Sequence, residues 1–387
     1  MGLAAYGLND REKNYWYKKL RSVIDIKPDG SFQLIMDYFQ FHYSDRMPSA
    51  KLISLLGGPI RREKDPLNER HHNIAAAVQM ITEDIVLSIL RDVQQKTKCE
   101  NIVLSGGVAL NSVCNGKILS QTGFKNIWIQ PNAGDGGNSM GAALFAYHCI
   151  LNKPRKTFLE HAYLGPEFST EEVREFLIQS KIKFHQFSNR EGLLSTTSQI
   201  LASNLIVGWF QGRMEWGPRA LGARSILANP CSPDMQKIIN EKVKHRETFR
   251  PFAPAICAED APELFECDLP LPLPADFMLM VYPIKEKYRA TLPAITHIDG
   301  SGRLQSVRSA TNPLFYDLIK SFGQVTGYPI LINTSFNIRG EPMVCSPADA
   351  YRCMMGTGID YLVMENFLIK REDNPQDKWD SETLAHD

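Results

Sequence analysis

Apolar residues recur at steps of three and four beyond residue 70. Ile74, Ala77, Val78, Ile81, Ile85 and Ile89 fall on one stripe, and the spacing predicts an amphipathic helix over residues 70–98. Residues 1–65, ahead of it, carry aromatic clusters (Tyr15, Trp16, Tyr17; Phe39, Phe41, Tyr43) without a regular period. Behind it, short apolar runs alternate with glycine turns and helical stretches. The pattern predicts a strand at 101–104, a Ser105-Gly106-Gly107 turn and a helix at 110–120. A strand at 126–129, a Gly/Asn/Asp loop at 131–137 and a helix at 138–151 follow. Strand, glycine turn and helix, repeated, is an α/β pattern. Pro154 among basic residues marks a linker at 153–156. Beyond it come a helix at 168–180, capped by Ser169 or Thr170, and strands at 205–210, 277–281, 294–297 and 304–307. A helix at 312–322, a buried strand at 329–333, a helix at 347–355 and a strand pair at 361–370 broken near Asn366 complete the pattern. The polar segment after Arg371 is expected to fray.

A chain of 387 residues suggests two domains or three small ones, and 43% hydrophobic residues suffice for packed cores. Lys plus Arg (43) equals Asp plus Glu (43), which argues against bulk-charge attachment to nucleic acid or membrane. Met1 to Asp10 lacks the charged-then-apolar pattern of a signal peptide, and no apolar run reaches the ~18 residues expected of a membrane helix. The eight cysteines form no CxxC pair and read as reduced core thiols, with no spacing for zinc. A soluble, cytoplasmic protein is expected.

Against this neutral background, arginine is locally concentrated. The loop Gln211-Gly212-Arg213-Met214-Glu215-Trp216-Gly217-Pro218-Arg219-Ala220-Leu221-Gly222-Ala223-Arg224-Ser225 follows an apolar strand, and Lys242, Lys244, His245, Arg246 and Arg250 follow it. Guanidinium grips phosphate through two parallel hydrogen bonds and ammonium adds a point charge, so these loops suit phosphate. Surface pairing with Glu215, Glu241 or Glu247 is the plainer alternative. A polar loop, Asn333-Thr334-Ser335-Phe336-Asn337, ends an apolar strand and offers neutral donors and acceptors for a small amide-like group. The turn from His297 to Gln305 presents Asp299 and Arg303.

Two glycine turns lie at successive strand ends. In the first, Gly106 and Gly107 precede a helix whose free N–H groups suit a nucleotide sugar or phosphate, or serve packing alone. In the second, Asp135 stands between Gly134 and Gly136, where its carboxylate can ligate a divalent metal or cap a helix. His71 and His72 read as surface residues, because adjacent helical positions face different ways.

At these residues the chain resembles the O-carbamoyltransferase family of the NodU/CmcH type. The resembling segments are residues 105–111, 132–141, 212–225, 244–254 and 331–341, with Met1-Gly2-Leu3-Ala4-Ala5-Tyr6-Gly7. The resemblance covers nearly the whole chain. It implies the rear half of an actin-like ATPase-type domain at residues 1–163, a YrdC-like α/β domain at 164–371 and a polar tail at 372–387. It implies further that carbamoyl phosphate and ATP give a carbamoyl adenylate, whose carbamoyl group passes to a hydroxyl acceptor: an antibiotic sugar, a lipo-oligosaccharide or a nucleoside. Carried over, Arg219, Arg224, Lys244, Arg246, Arg250 and Arg303 hold the phosphates and carbamoyl group, with Asn333, Ser335, Asn337, Gly217 and Ser225 around the substrate. Gly106, Gly107, Asn111, Gly134 and Gly136 line a nucleotide in the transfer domain, where Asp135 ligates a metal; the divalent metals implied are Mg2+ for adenylation and Fe2+ or another transition metal in the transfer domain.

Family members carry a long stretch ahead of the MGLAAYG segment. The expectation is therefore a truncated gene, a fragment or one half of a split enzyme, with adenylate formation retained. Acceptor transfer would then depend on a partner chain supplying the first lobe, or on a homo-oligomer. The competing readings are a non-catalytic binding subunit and a threonylcarbamoyl-type tRNA-modification enzyme.

Overall fold

The computed structural model describes residues 1–62, 65–156 and 158–375; residues 376–387, most of the expected polar tail, lie outside the described residues. By packing, the chain divides into two units: Met1–Ile102 with Val113–Ile127, and Val103–Ser112 with everything from Trp128 on. This division and the boundary at residue 163 read from the sequence are different cuts of the same chain.

The first unit contains α1 (Tyr15–Arg21), an antiparallel hairpin of β1 (Ile24–Ile26) and β2 (Phe32–Leu34), α2 (Ala50–Leu55) and the 29-residue α3 (Glu69–Thr97). Asn68 and His71 close the start of α3 reciprocally: the Asn68 side chain accepts the His71 N–H, and His71 Nδ1 accepts the Asn68 N–H. Such a cap contributes about 1 kcal/mol. Ala77 and Ile81 of α3 pack with Leu20, Val23 and Leu52 to form this unit's core. By length and composition alone α3 could cross a membrane, which the run-length reading had excluded, but half of its most apolar stretch is buried within the protein. It is the core helix of this unit.

β3 (Asn101–Leu104) and β4 (Asn126–Ile129) form a two-stranded sheet, with α4 (Ser112–Gln121) between them in sequence. A 3-10 turn, Gly107–Leu110, intervenes before α4. α5 (Asn138–Phe145) runs on through one π turn, Ala146–Ile150.

The rest of the second unit is built on an eight-stranded mixed sheet. In chain order it comprises α6 (Thr170–Gln179), β5 (His185–Gln186), α7 (Arg190–Ala202), β6 (Val207–Phe210), β7 (Arg224–Ala228), α8 (Met235–Lys242), β8 (Ala253–Cys257) and α9 (Ala261–Leu264). Then come β9 (Tyr282–Pro283), α10 (Glu286–Arg289), β10 (Ser301–Gly302), β11 (Gln305–Val307), α11 (Pro313–Thr326), β12 (Ile330–Ser335), α12 (Pro347–Met355), β13 (Tyr361–Met364) and β14 (Phe367–Lys370). The strand order is β11-β8-β12-β7-β6-β13-β14-β5, and β9 pairs with β10 apart from it. The protein is thus a mixed α/β structure. α7 and α11 cover one face, where Leu193, Leu201, Phe315, Leu318 and Phe322 pack on Trp209, Leu227, Leu331 and Val363. Ser169 caps α6, as its sequence predicts, and Glu172 returns the bond.

The apolar runs at 277–281 and 294–297 are largely buried, through Phe277 to Met280 and through Ala294 and Ile295, but are not strands. Pro272 and Pro274 start a tight turn, and the N–H groups of Met278 and Leu279 bond back to Ala275 and Pro274. Ile295 and Thr296 likewise bond back to Leu292. Backbone donors consumed locally cannot join a ladder. Conversely, β7 and β8 are strands inside stretches that read as cationic loops.

Candidate functional site

The sheet's topology gathers the cationic loops. β12 runs antiparallel to both β7 and β8, and β11 runs parallel to β8. Hence β7, β8 and β11 begin, and β12 ends, at one end of the sheet. Arg219 precedes β7, Lys244, Arg246 and Arg250 precede β8, Arg303 precedes β11, and Asn333, Ser335 and Asn337 close β12. Four connections far apart in sequence meet there.

Lys244 is the most enclosed of these cations, 3% exposed. Its Nζ donates to the Ser335 carbonyl, to Asn337 Oδ1 at 2.7 Å and to the Asn337 carbonyl at 3.1 Å. The Ser335 hydroxyl, 3.2 Å away, itself bonds to Asn337 Oδ1. Burial first, then the charge of Arg246, lowers the Lys244 pKa to about 7. Arg246 donates through Nε to Asn240 Oδ1 at 2.8 Å and lies over the Phe252 ring. Burial, then the charge of Arg250, brings it to about 10. Arg303 is lowered to about 9 by burial and by its two cationic neighbours, Arg219 and Arg246. Burial also lowers Arg219, whose Nε is buried without a hydrogen-bond partner.

Among the described residues, no ion pair is formed by Arg219, Lys244, Arg246 or Arg303; Arg250 pairs with Glu247 at 2.9 Å. Buried like charges without counter-charges cost several kcal/mol, so the cluster is poised to gain from an anion that supplies several oxygens. Asn333, 1% exposed, donates to the Ala220 carbonyl and to Gln305 Oε1, leaving its Oδ1 buried and unpartnered. That oxygen is an acceptor among donors.

Arg224 and Ser225 are not brought into this group. Arg224 is fully buried, lies 3.6 Å from the Phe210 ring centroid and donates to the carbonyls of Gln211, Ala223 and Pro166. Its two terminal nitrogens are committed to backbone, while its Nε, like that of Arg219, is buried without a partner, so it braces the loop from inside. Ser225 is also buried, and its Oγ accepts the Gly222 N–H.

Glu215 has a structural role that its sequence context did not assign to it. Rather than pairing with an arginine at the surface, it is 3% exposed, and its Oε1 accepts the N–H groups of Leu221, Ala223 and Arg224 at 2.7, 2.6 and 3.1 Å. One carboxylate therefore folds the loop that presents Arg219. An acidic residue amid a cationic, glycine-punctuated loop was the available signal. Gln305 was also missed; its Nε2 donates to Leu221, which ties β11 to the same loop. Tyr163 and Asp276 line a small pocket beside Gln305 and Leu221.

The glycine turns adjoin each other, since the Gly106 N–H donates to the Ala133 carbonyl at 2.7 Å. Gly106, at φ +101°, and Gly107 leave open space where a side chain would stand, whereas at Gly136 a Cβ would meet the Asn132 side chain. A Cβ on Gly134 would touch only Leu110, and Asn111 ends the 3-10 turn. Gly217, at φ +130°, lets the Arg219 loop pass the Pro131 carbonyl, which would lie 2.8 Å from a Cβ there. Asp135 is exposed. Among the described residues, the cluster of three potential metal ligands is Cys257, Glu259 and Asp260, and Asp135 is not in it. Lys320 already sits 3.3 Å from Glu259 and 2.6 Å from Asp260. Asp135 alone does not make a metal site.

The α/β unit thus gathers unneutralised guanidinium and ammonium groups at one end of its sheet, an arrangement whose charge suits a polyanion. Two family descriptions match the sequence, carbamoyltransferase N-terminus over residues 1–144 and carbamoyltransferase C-terminus over residues 198–371, and the chain belongs to the carbamoyltransferase family. It is 43% identical over 411 residues to sll1178, an uncharacterised protein of Synechocystis, covering 99% of this chain and 66% of that protein. Nodulation protein NolO of Bradyrhizobium diazoefficiens is 36% identical over 381 residues, covering 98% and 66%. Nodulation protein U of Rhizobium fredii is 36% identical over 276 residues, covering 70% and 43%. The chain thus spans two thirds or less of the length of these relatives. Full-length HypF, solved in a phosphate- and nucleotide-bound form, aligns over 49% of this chain and 23% of its own at TM-score 0.33 and 12% identity, too slight a likeness to build on.

Proposed function

We propose that in the second unit one water cleaves carbamoyl phosphate to carbamate and phosphate, that the carbamate attacks the α-phosphorus of ATP to give a carbamoyl adenylate and pyrophosphate, and that the carbamoyl group then passes to a hydroxyl of a biosynthetic small molecule with release of AMP. What supports this is the convergence of Arg219, Lys244, Arg246 and Arg303 without paired carboxylates. Adenylation moves negative charge between phosphoryl oxygens, and fixed cations aimed at those oxygens lower its barrier. Arg219, Arg246, Arg250 and Arg303 grip the phosphates. Lys244, held by Ser335 and Asn337, places a point charge among them. Asn333 Oδ1 accepts from the carbamoyl NH2, the small donor that an all-cation pocket could not otherwise satisfy. Glu215, Arg224, Ser225 and Gly217 keep the loop in the shape that presents Arg219.

On this reading the large sheet is the YrdC-like domain, and the glycine turns with Asp135 belong to the actin-like domain, where transfer occurs. Mg2+ bound with ATP would supply further charge neutralisation, and Asp135 would be the ligand this chain offers to a divalent metal in the transfer domain, where such an ion would act as a Lewis acid. The reaction is cytoplasmic.

Mixing the protein with carbamoyl phosphate, ATP and Mg2+ tests the first step. Pyrophosphate release that requires both substrates is expected. No release at any Mg2+ concentration refutes adenylate formation and leaves a binding subunit. Release that requires bicarbonate and threonine instead assigns the threonylcarbamoyl chemistry.

A further inference from the structure

Gln305 and Asn333 are buried amides on different strands, and the backbone around them fixes which way each one faces. Opposite residues of paired strands share a face of the sheet, as do alternate residues of one strand. Gln305 on β11 lies opposite Ala255 on β8, and Asn333 on β12 lies opposite Ala253. These side chains therefore project from one face. Ser335, two residues beyond Asn333, projects from it too, and its hydroxyl lies 3.2 Å from Lys244 Nζ. β8 stands between β11 and β12, so the amides meet across a whole strand. Adjacent strands are about 4.8 Å apart, and only the methyl groups of Ala253 and Ala255 rise between the two amides. Asn333 Nδ2 reaches Gln305 Oε1 at 2.6 Å.

A backbone carbonyl can only accept. The Leu221 carbonyl accepts from Gln305 Nε2 and from the Tyr163 hydroxyl, each at 2.8 Å, and that hydroxyl accepts from Asn312 Nδ2 at 3.0 Å. Gln305 must therefore turn its NH2 to Leu221 and its oxygen to Asn333. Asn333 faces that oxygen and the Ala220 carbonyl, so it must turn its NH2 to them. Its Oδ1, buried and unpartnered, is left as the outward end. Turning either amide over would set oxygen against oxygen. We infer that Gln305 is a positioning residue that, through Asn333, holds an acceptor towards the bound substrate and selects ligands presenting an N–H over those presenting a methyl group or an oxygen there. At 2% exposed, Gln305 acts from behind Asn333. The inference rests on the carbamoyl phosphate reading of this site, and adds what tells that substrate from other acyl phosphates of the same charge and shape.

Phosphonoacetamide and 2-oxopropylphosphonate test it. Each keeps the phosphoryl group and carbonyl of carbamoyl phosphate with CH2 in place of the bridging oxygen, and they differ only in NH2 against CH3. Titration calorimetry on the full chain gives the ratio of their Kd values. The wild type should prefer the amide about 30-fold or more, because the methyl ketone leaves Oδ1 unsatisfied. In Gln305→Leu the ratio should fall about ten-fold, since the Asn333 amide can then turn over. Gln305→Glu keeps an acceptor opposite Asn333 and should hold the ratio within about three-fold even where Tm drops. Lost stability or altered charge moves both affinities together and cancels in the ratio. Asn333→Ala should remove the preference, and adding Gln305→Leu should change it no further, as expected when one residue acts through the other. A ratio unchanged in Gln305→Leu, or lost in a folded Gln305→Glu, overturns the inference. Equal wild-type affinity for both phosphonates overturns it while phosphate binding stands. Binding of neither refutes the carbamoyl phosphate reading of the site, and the inference with it.

Discussion

Raising the pH should empty the candidate site of its polyanion through one side chain. Lys244 is lowered to about 7 by burial and by Arg246, so the free protein holds it half protonated near neutrality. A bound triphosphate brings negative charge beside it and restores the ammonium, so binding takes up a proton. If the bound form stays protonated, affinity falls by about 50-fold between about pH 7 and about pH 9, approaching ten-fold per unit. The sign for stability runs the other way. The unfolded chain binds the proton up to the ordinary lysine value of 10.5, so Lys244 makes the free protein more stable as pH rises from about 7 towards it. Titration calorimetry with a non-hydrolysable ATP analogue, in two buffers of different ionisation enthalpy, reads affinity and proton uptake together. Uptake should approach one proton near about pH 8, and Lys244→Met should abolish both the uptake and the slope. An affinity that stays flat across this range, or a slope that survives in Lys244→Met, refutes the reasoning.

Arg219→Ala should abolish pyrophosphate release yet leave the melting temperature within about 2 °C, because a buried cation with an unpartnered Nε contributes little to folding. Arg224→Met should do the reverse in kind: three backbone carbonyls lose their donor, and urea denaturation should show a loss of about 2–4 kcal/mol. Gly222→Ala should cost more than Gly106→Ala by the same measurement. Both glycines have positive φ, which alone costs about 1–3 kcal/mol, but only at Gly222 would the Cβ lie 2.3 Å from the Phe315 ring.

Local patterns in the sequence set α3, its cap at Asn68, the cap of α6 at Ser169 and the hairpin of β13 and β14. These depend on contacts a few residues apart, or on periodicities that one stretch of chain displays by itself. The arginine-dense loops stood out equally in the sequence, because local charge density is visible without the fold, and their reading as phosphate ligands rests on a guanidinium's preference for phosphate. The sequence could not separate Arg224 from Arg219. Both sit in one loop with the same side chain, and only the packing of Phe210 and the three carbonyls turns Arg224 inward. The same holds for Glu215, whose role as the loop's internal brace exists only once Leu221, Ala223 and Arg224 turn their N–H groups towards one point. The apolar run at 277–281 looked like a strand because hydrophobicity reports burial, not which way the backbone donors face. The convergence of Arg219, Lys244, Arg246 and Arg303 was decided by strand direction: β12 runs against β7 and β8, and that antiparallel pairing places distant loops at one end of the sheet.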